Sequence, residues 1–240
     1  MDQYRSLYTD TLPRYGLYPS PLKFPSMIQS LSSSSEEAEP WSVRGVLSDQ
    51  FMDLVEEVRD LVQLTESCRG VIVSHAITGH FDHQRAWIVY RFLELIVETS
   101  NVPARAYERC CCLAAFLYHH MHFRRHAIQS HTQCILLDKL KQALLKTDLD
   151  ACWGDDIELL LWILVTAAAV EDFTKVWFMD LLKRVWTTFI PKPGLLRMKY
   201  ILRRFLWNER TSNPDCEKVH KEMLSSPFQG AKYKVGRQNT

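Results

Sequence analysis

Eight glycines among 240 residues leave little room for a glycine-rich phosphate cradle. The chain has no P-loop spacing, no dinucleotide fingerprint and no Gly-x-Ser-x-Gly elbow. Nucleotide-dependent and serine-hydrolase chemistry therefore has no motif to stand on, and the chain is expected not to be an enzyme. A net charge is missing as well: 29 basic and 28 acidic residues give +1, so no overall field draws in a polyanion and no direct nucleic-acid contact is expected. The longest apolar run free of charge and histidine, Leu159 to Val170, has 12 residues, against the roughly 18 to 20 needed to span a bilayer. It reads as a buried helix, with no membrane partner.

Seven cysteines is an odd number, and Cys110, Cys111 and Cys112 are contiguous, which excludes a regular disulfide framework. No secretory leader is recognisable at the N-terminus, so a reducing compartment is expected. Three adjacent helical positions point about 100° apart and cannot converge on one ion. These three cysteines read as small apolar fillers of a buried helix.

Half of the ten prolines, Pro13, Pro19, Pro21, Pro25 and Pro40, fall in the first 40 residues, where fixed φ and missing N–H groups oppose helix propagation. Ser30 to Glu39 is a polar low-complexity stretch that cannot bury enough surface to offset its ordering entropy. The expected organisation is an irregular or disordered segment over residues 1–42 and one helical domain over 43–240.

Within that domain, Phe51, Leu54, Val55, Val58, Leu61 and Val62 follow the spacing of one helix face, with Ser48 as its cap. Arg85 to Glu98 is apolar nearly all round, as a helix buried on several sides would be. Pro103 suits the first turn of a helix reaching about Arg125. Leu136, Leu140, Ala143 and Leu144 mark another helix, and Phe178, Leu181, Leu182, Val185, Trp186 and Phe189 one capped by Thr174. Pro191 to Gly194 ends it. A further helix carries Met198, Ile201, Leu202, Phe205 and Leu206, and a short one after Asn213-Pro214 carries Val219 and Met223. Val71-Ile72-Val73, after Gly70, is too short to found a sheet, so the class is all-α with roughly eight helices.

Three groups of residues have the composition of a site. His119, His120, His122, His126 and His131 include an i, i+4 pair, His122 and His126, a spacing that holds a metal ion on one helix face. The absence of His-Glu-x-x-His, the lack of an acidic residue in the run and the presence of Arg124 and Arg125 favour a polar helix end packed by histidines. A catalytic cysteine beside one of the nine histidines has no local motif. Asp155-Asp156 is placed for general acid and base work or for capping the apolar helix that follows, and capping is the commoner use. Arg197, Lys199, Arg203 and Arg204 form either a solvated face or a contact for phosphates or an acidic partner segment.

Trp162 in its Leu-Leu-Leu-Trp-Ile-Leu helix, the alanines after it and Trp177-Phe178 opening the next helix belong to one pattern. Arg204-Phe205-Leu206-Trp207 followed by a polar loop and Val219-His220-Lys221-Glu222 completes it. This pattern resembles the C-terminal part of fungal-specific transcription factor domains, the helical regulatory regions of binuclear zinc-cluster regulators. The resemblance is strongest over Trp153 to Glu222 and extends to the Leu12-Pro13 opening. Ala167, Ala168 and Ala169 stand where the family commonly has glycine. The six cysteines of the family's DNA-binding module have no counterpart in the spacing of Cys68, Cys110, Cys111, Cys112, Cys134, Cys152 and Cys216. The resemblance implies a regulatory domain in the nucleus, without its own DNA reader or cofactor, as a stand-alone relative or a fragment of a longer regulator. It would act on proteins of the transcription machinery or a DNA-binding partner, through protein contacts or an effector held between helices. The competing reading is an α-helical small-molecule- or metal-binding protein, or an enzyme, using the His119 to His126 region or a cavity between the apolar helices.

Overall fold

Ser48 opens the domain as its spacing predicts: its backbone is extended and its Oγ accepts the Phe51 N–H at 3.3 Å. The computed structural model describes residues 47–70, 72, 74–123, 131–148, 152–191 and 193–225, together with Thr9. Eight α-helices are present among them and no strand. They are α1 (Asp49–Ser67), α2 (His75–Ser100), α3 (Ala106–Phe123), α4 (His131–Leu145), α5 (Ile157–Ala168), α6 (Lys175–Phe189), α7 (Leu195–Leu202) and α8 (Glu209–Ser225). The all-α class is therefore the observed one. The proline-rich segment, the Ser30 to Glu39 stretch, Val71 and Val73 lie outside the described residues.

Two helices form the centre. Every residue from Cys110 to His120 of α3 is buried, and so is every residue from Leu159 to Ala168 of α5. A helix buried on all sides needs no polar face, which is why both read as nearly continuous apolar runs. α3 packs against α1, α2, α4 and α5, while α5 also carries α6, α7 and α8. Cys110, Cys111 and Cys112 lie fully inside, and their side chains are small enough to let neighbouring helices approach. Phe92 of α2 stacks on Phe116 of α3 at 5.2 Å between ring centroids.

The buried carboxylate Glu108 ties α1 to α3. It accepts the Arg105 Nε–H at 2.7 Å, the Ser48 backbone N–H at 3.2 Å and the Ser48 hydroxyl. Burial pushes this carboxyl up, but the Arg105 and Ser48 donors outweigh it and hold it below its ordinary 4.5.

Several local expectations are corrected. The helix expected over Arg85 to Glu98 begins earlier, at His75 behind a Ser74 cap; its Ile88, Phe92, Leu95 and Ile96 are buried, while Trp87 and Tyr90 are half-exposed. Pro103 opens a 3-10 turn, Pro103–Arg105, and α3 starts after it. Thr174 precedes α6, but its hydroxyl and N–H both donate to Asp172 Oδ1, at 2.9 and 2.8 Å, instead of capping the helix. Phe189 is on the exposed side.

α7 stops at Leu202, so Phe205 and Leu206 are buried from the turn that follows. The last helix starts five positions before Pro214, at Glu209, and carries the proline inside. Its start is set by Asn208, whose Oδ1 accepts the N–H groups of Arg210 and Thr211 at 3.1 and 3.0 Å. The Asn208 N–H is in turn taken by Ser212 Oγ at 3.1 Å. Reciprocal capping outweighs the proline.

Candidate functional site

Helical spacing brings three faces to one place. Tyr118, Met121 and His122 are i, i+3, i+4 on the last turns of α3; Trp162, Val165, Thr166 and Ala169 are i, i+3, i+4, i+7 along α5. Thr211 and Asp215 are i, i+4 on the first turns of α8, with Cys216 beside them. Leu202, Leu206 and Trp207, from the end of α7 and the turn after it, close the fourth side. They surround a small cleft of about 40 Å³ that opens to solvent.

The wall is aromatic and fixed by long-range bonds. Trp162 is buried, its ring lies 6.4 Å from that of Tyr118 and 6.0 Å from that of Phe205, and its indole N–H donates to the Leu206 carbonyl at 3.0 Å. Tyr118 stacks on His122 at 6.1 Å, and His122 Nδ1 lies 3.3 Å from Thr211 Oγ1, linking α3 to α8. Cys216 is buried, and burial pushes its thiol up to about 12 against the opposing pull of Lys199. A protonated thiol is a poor nucleophile. No family model matches the chain, no curated protein matches it, and no solved structure matches it.

The residues singled out from spacing fare differently. His119 and His120 are buried, His119 packing against Phe123 at 4.8 Å and Phe92 at 6.2 Å. His126 lies outside the described residues, as do Arg124 and Arg125. Among the described residues, no three His, Cys, Asp or Glu side chains gather to hold a metal ion. Asp156 occupies the N-cap position of α5 but makes no side-chain cap bond; with burial, it helps keep the Tyr107 phenol protonated.

Arg197, Lys199, Arg203 and Arg204 each have an ion-pair partner. Arg197 and Arg204 both reach Glu158 of α5, the first at 3.2 Å. Lys199 reaches Glu217 at 2.6 Å and Arg203 reaches Glu209 at 2.7 Å, both on α8. These ion pairs offset much of the stretch's charge, and Arg197 and Arg203 remain exposed to solvent.

The sequence reading passed over Tyr118, Thr166, Thr211 and Asp215. Their i, i+4 spacings were present, yet polar residues on such spacings are common on any helix, and only the α8 start at Asn208 puts Thr211 and Asp215 on an inward face. No described helix is long and apolar enough to cross a membrane.

Proposed function

We propose that this chain is a transcription-regulatory domain of the fungal-specific type that senses a small effector in the cleft between α3, α5 and α8. One observation carries the reading: Trp162, Leu206 and Trp207, three residues of the tryptophan pattern that resembles that family, together wall the cleft. Trp177, the pattern's other tryptophan, is half-buried on α6 against the core, with Lys141 of α4 over its ring at 5.6 Å.

In this reading the domain is not an enzyme and works in the nucleus. An occupied cleft stiffens the junction of α5, α7 and α8, and this change is passed to a partner that reads DNA or to the transcription machinery. The paired state of Arg197, Lys199, Arg203 and Arg204 supports a protein partner over direct contact with DNA.

Tethering the full chain to a heterologous DNA-binding domain upstream of a reporter tests this. Expression should change on tethering, and the change should be lost when Ala169→Met fills the cleft. Equal expression from the untethered, tethered and filled forms would remove the reading.

A further inference from the structure

Between Asp180 and Glu209 the chain carries seven lysines and arginines and no acidic residue, although the charge of the whole chain is only +1. The carboxylates that pair with α7 come from other helices: Glu158 from α5, Glu209 and Glu217 from α8. One of them, Glu158, is shared by Arg197 and Arg204. The sequence thus concentrates positive charge around α7.

α7 packs one face into the core through Met198, Ile201 and Leu202. On the opposite side Leu196 is 84% exposed and Tyr200 56%. Leu196, Tyr200 and Arg203, at i, i+4 and i+7, share one stripe about 10 Å long. Arg197 borders it on one edge, its guanidinium 5.2 Å from the centre of the Tyr200 ring, and helical geometry places Lys199 on the other edge. A single exposed leucine is ordinary. A leucine and a tyrosine one turn apart, framed by three cations and preceded by the exposed Phe189, Pro191 and Pro193, form a patch.

The arginines suit carboxylates. Arg197 reaches Glu158 through Nη2 at 3.2 Å and Arg203 reaches Glu209 through Nε at 2.7 Å, while their side chains stay 40% and 53% exposed. A guanidinium has five N–H donors, so a second carboxylate can join each without displacing the first. A nucleic-acid backbone would instead lay its phosphates over Leu196 and Tyr200, where an apolar surface replaces none of their hydration.

We propose that the outer face of α7 docks a short amphipathic segment of another protein, apolar along one side and rich in Asp and Glu on its flanks. Its apolar side chains cover Leu196 and Tyr200, and its carboxylates meet Arg197 and Arg203. The surface and chemistry of the partner contact are thereby added to the regulatory reading, on which the role of the contact rests.

Fluorescence anisotropy of labelled peptides of about 15 residues, titrated with the full chain at low salt, tests this. One probe carries Leu at i, i+3, i+4 and i+7 with Glu between; two others replace every Glu by Gln or by Lys. The Glu peptide should bind about tenfold more tightly than the Gln peptide, added salt should narrow that gap, and the Lys peptide should be weakest. Leu196→Ser combined with Tyr200→Ser should weaken Glu-peptide binding about tenfold at an unchanged melting temperature, because both side chains are exposed. Leu224→Ser, at a comparably exposed leucine of α8, should leave binding as it is.

Equal binding of the Glu and Gln peptides, an equal loss in the Leu224 variant, or no binding by any probe would overturn the proposal. Three other occupants would overturn it as well. A dimer that dissociates in the Leu196→Ser, Tyr200→Ser protein would give the face to a second copy. Tightest binding by a peptide of residues 30–43 would give it to the chain's own Glu36-Glu37-Ala38-Glu39 stretch, and displacement of the Glu peptide by single-stranded DNA would give it to nucleic acid. Peptide binding with an unresponsive reporter would sink the regulatory reading alone; a responsive reporter without peptide binding would sink the docking face alone.

Discussion

The Trp162 indole N–H donates to the Leu206 carbonyl at 3.0 Å, joining two residues 44 positions apart in a buried setting. This bond holds the turn after α7 against α5, and through Leu206 and Trp207 it sets one wall of the cleft. Neither partner has water as a substitute, so the bond costs more to lose than it contributes on average.

Trp162→Phe removes the donor and leaves the Leu206 carbonyl unpaired and buried. Unfolding free energy in denaturant titration should fall by about 1–3 kcal/mol, the usual cost of orphaning a buried polar group, plus the loss of indole packing. An unchanged midpoint would mean that the Leu206 carbonyl finds another donor.

Glu108→Gln should destabilise the domain by about 1–3 kcal/mol at neutral pH, because hydrogen bonds to a charged group from Ser48 and Arg105 are weakened. The sign of the pH effect follows from its depressed folded-state value. The unfolded chain takes up the proton first, so the contribution is complete above 4.5 and is lost as pH falls through the lower folded value. Melting curves should therefore show the gap between the two proteins closing on acidification below 4.5. A gap that widened there would reverse the assignment.

Pro214→Ala restores a donor inside α8, where proline deprives the Arg210 carbonyl of its i+4 partner. A mid-helix proline costs about 3 kcal/mol and alanine gives back about 1 kcal/mol through the unfolded chain, so a net gain of about 1–2 kcal/mol is expected in a near-terminal position. A lower melting temperature for the variant would show that the proline shapes the entry of α8 into the cleft.

Thiol labelling of the native protein should modify Cys152 first, with the half-buried Cys68 and Cys134 behind it. Cys110, Cys111, Cys112 and Cys216 are buried, and burial raises each of these thiols, so they should react only after denaturant is added. Mass spectrometry of the labelled protein reads the order directly; native labelling of the triple cysteine would mean that α3 opens readily.

Some of this was legible without coordinates. The Phe51 to Val62 stripe, the Leu136 to Leu144 stripe and the nearly continuous apolar run of α5 announced their helices because burial on one face imposes a period near 3.6, and burial on all faces removes it. Helix ends were less legible. Asn213-Pro214 is a plausible start by composition, but the bond network of Asn208 with Thr211 and Ser212 begins α8 earlier, and capping strength depends on geometry that neighbouring residue types do not encode. Arg85 to Glu98 was legible as a helix buried on several sides, but hydropathy records only what a side chain tolerates, and Trp87 and Tyr90 sit on a half-open face.

By itself, the chain of residue types determined that this protein is helical, where most of its apolar faces lie and that Cys110, Cys111 and Cys112 are fillers, because these follow from local period and composition. Tertiary structure alone decided that Trp162 and Trp207 share a cleft, that His122 meets Thr211 across 89 positions and that Glu158 takes Arg197 and Arg204. Such contacts depend on how helices cross, and crossing is set by the summed packing of many side chains rather than by any short run of them.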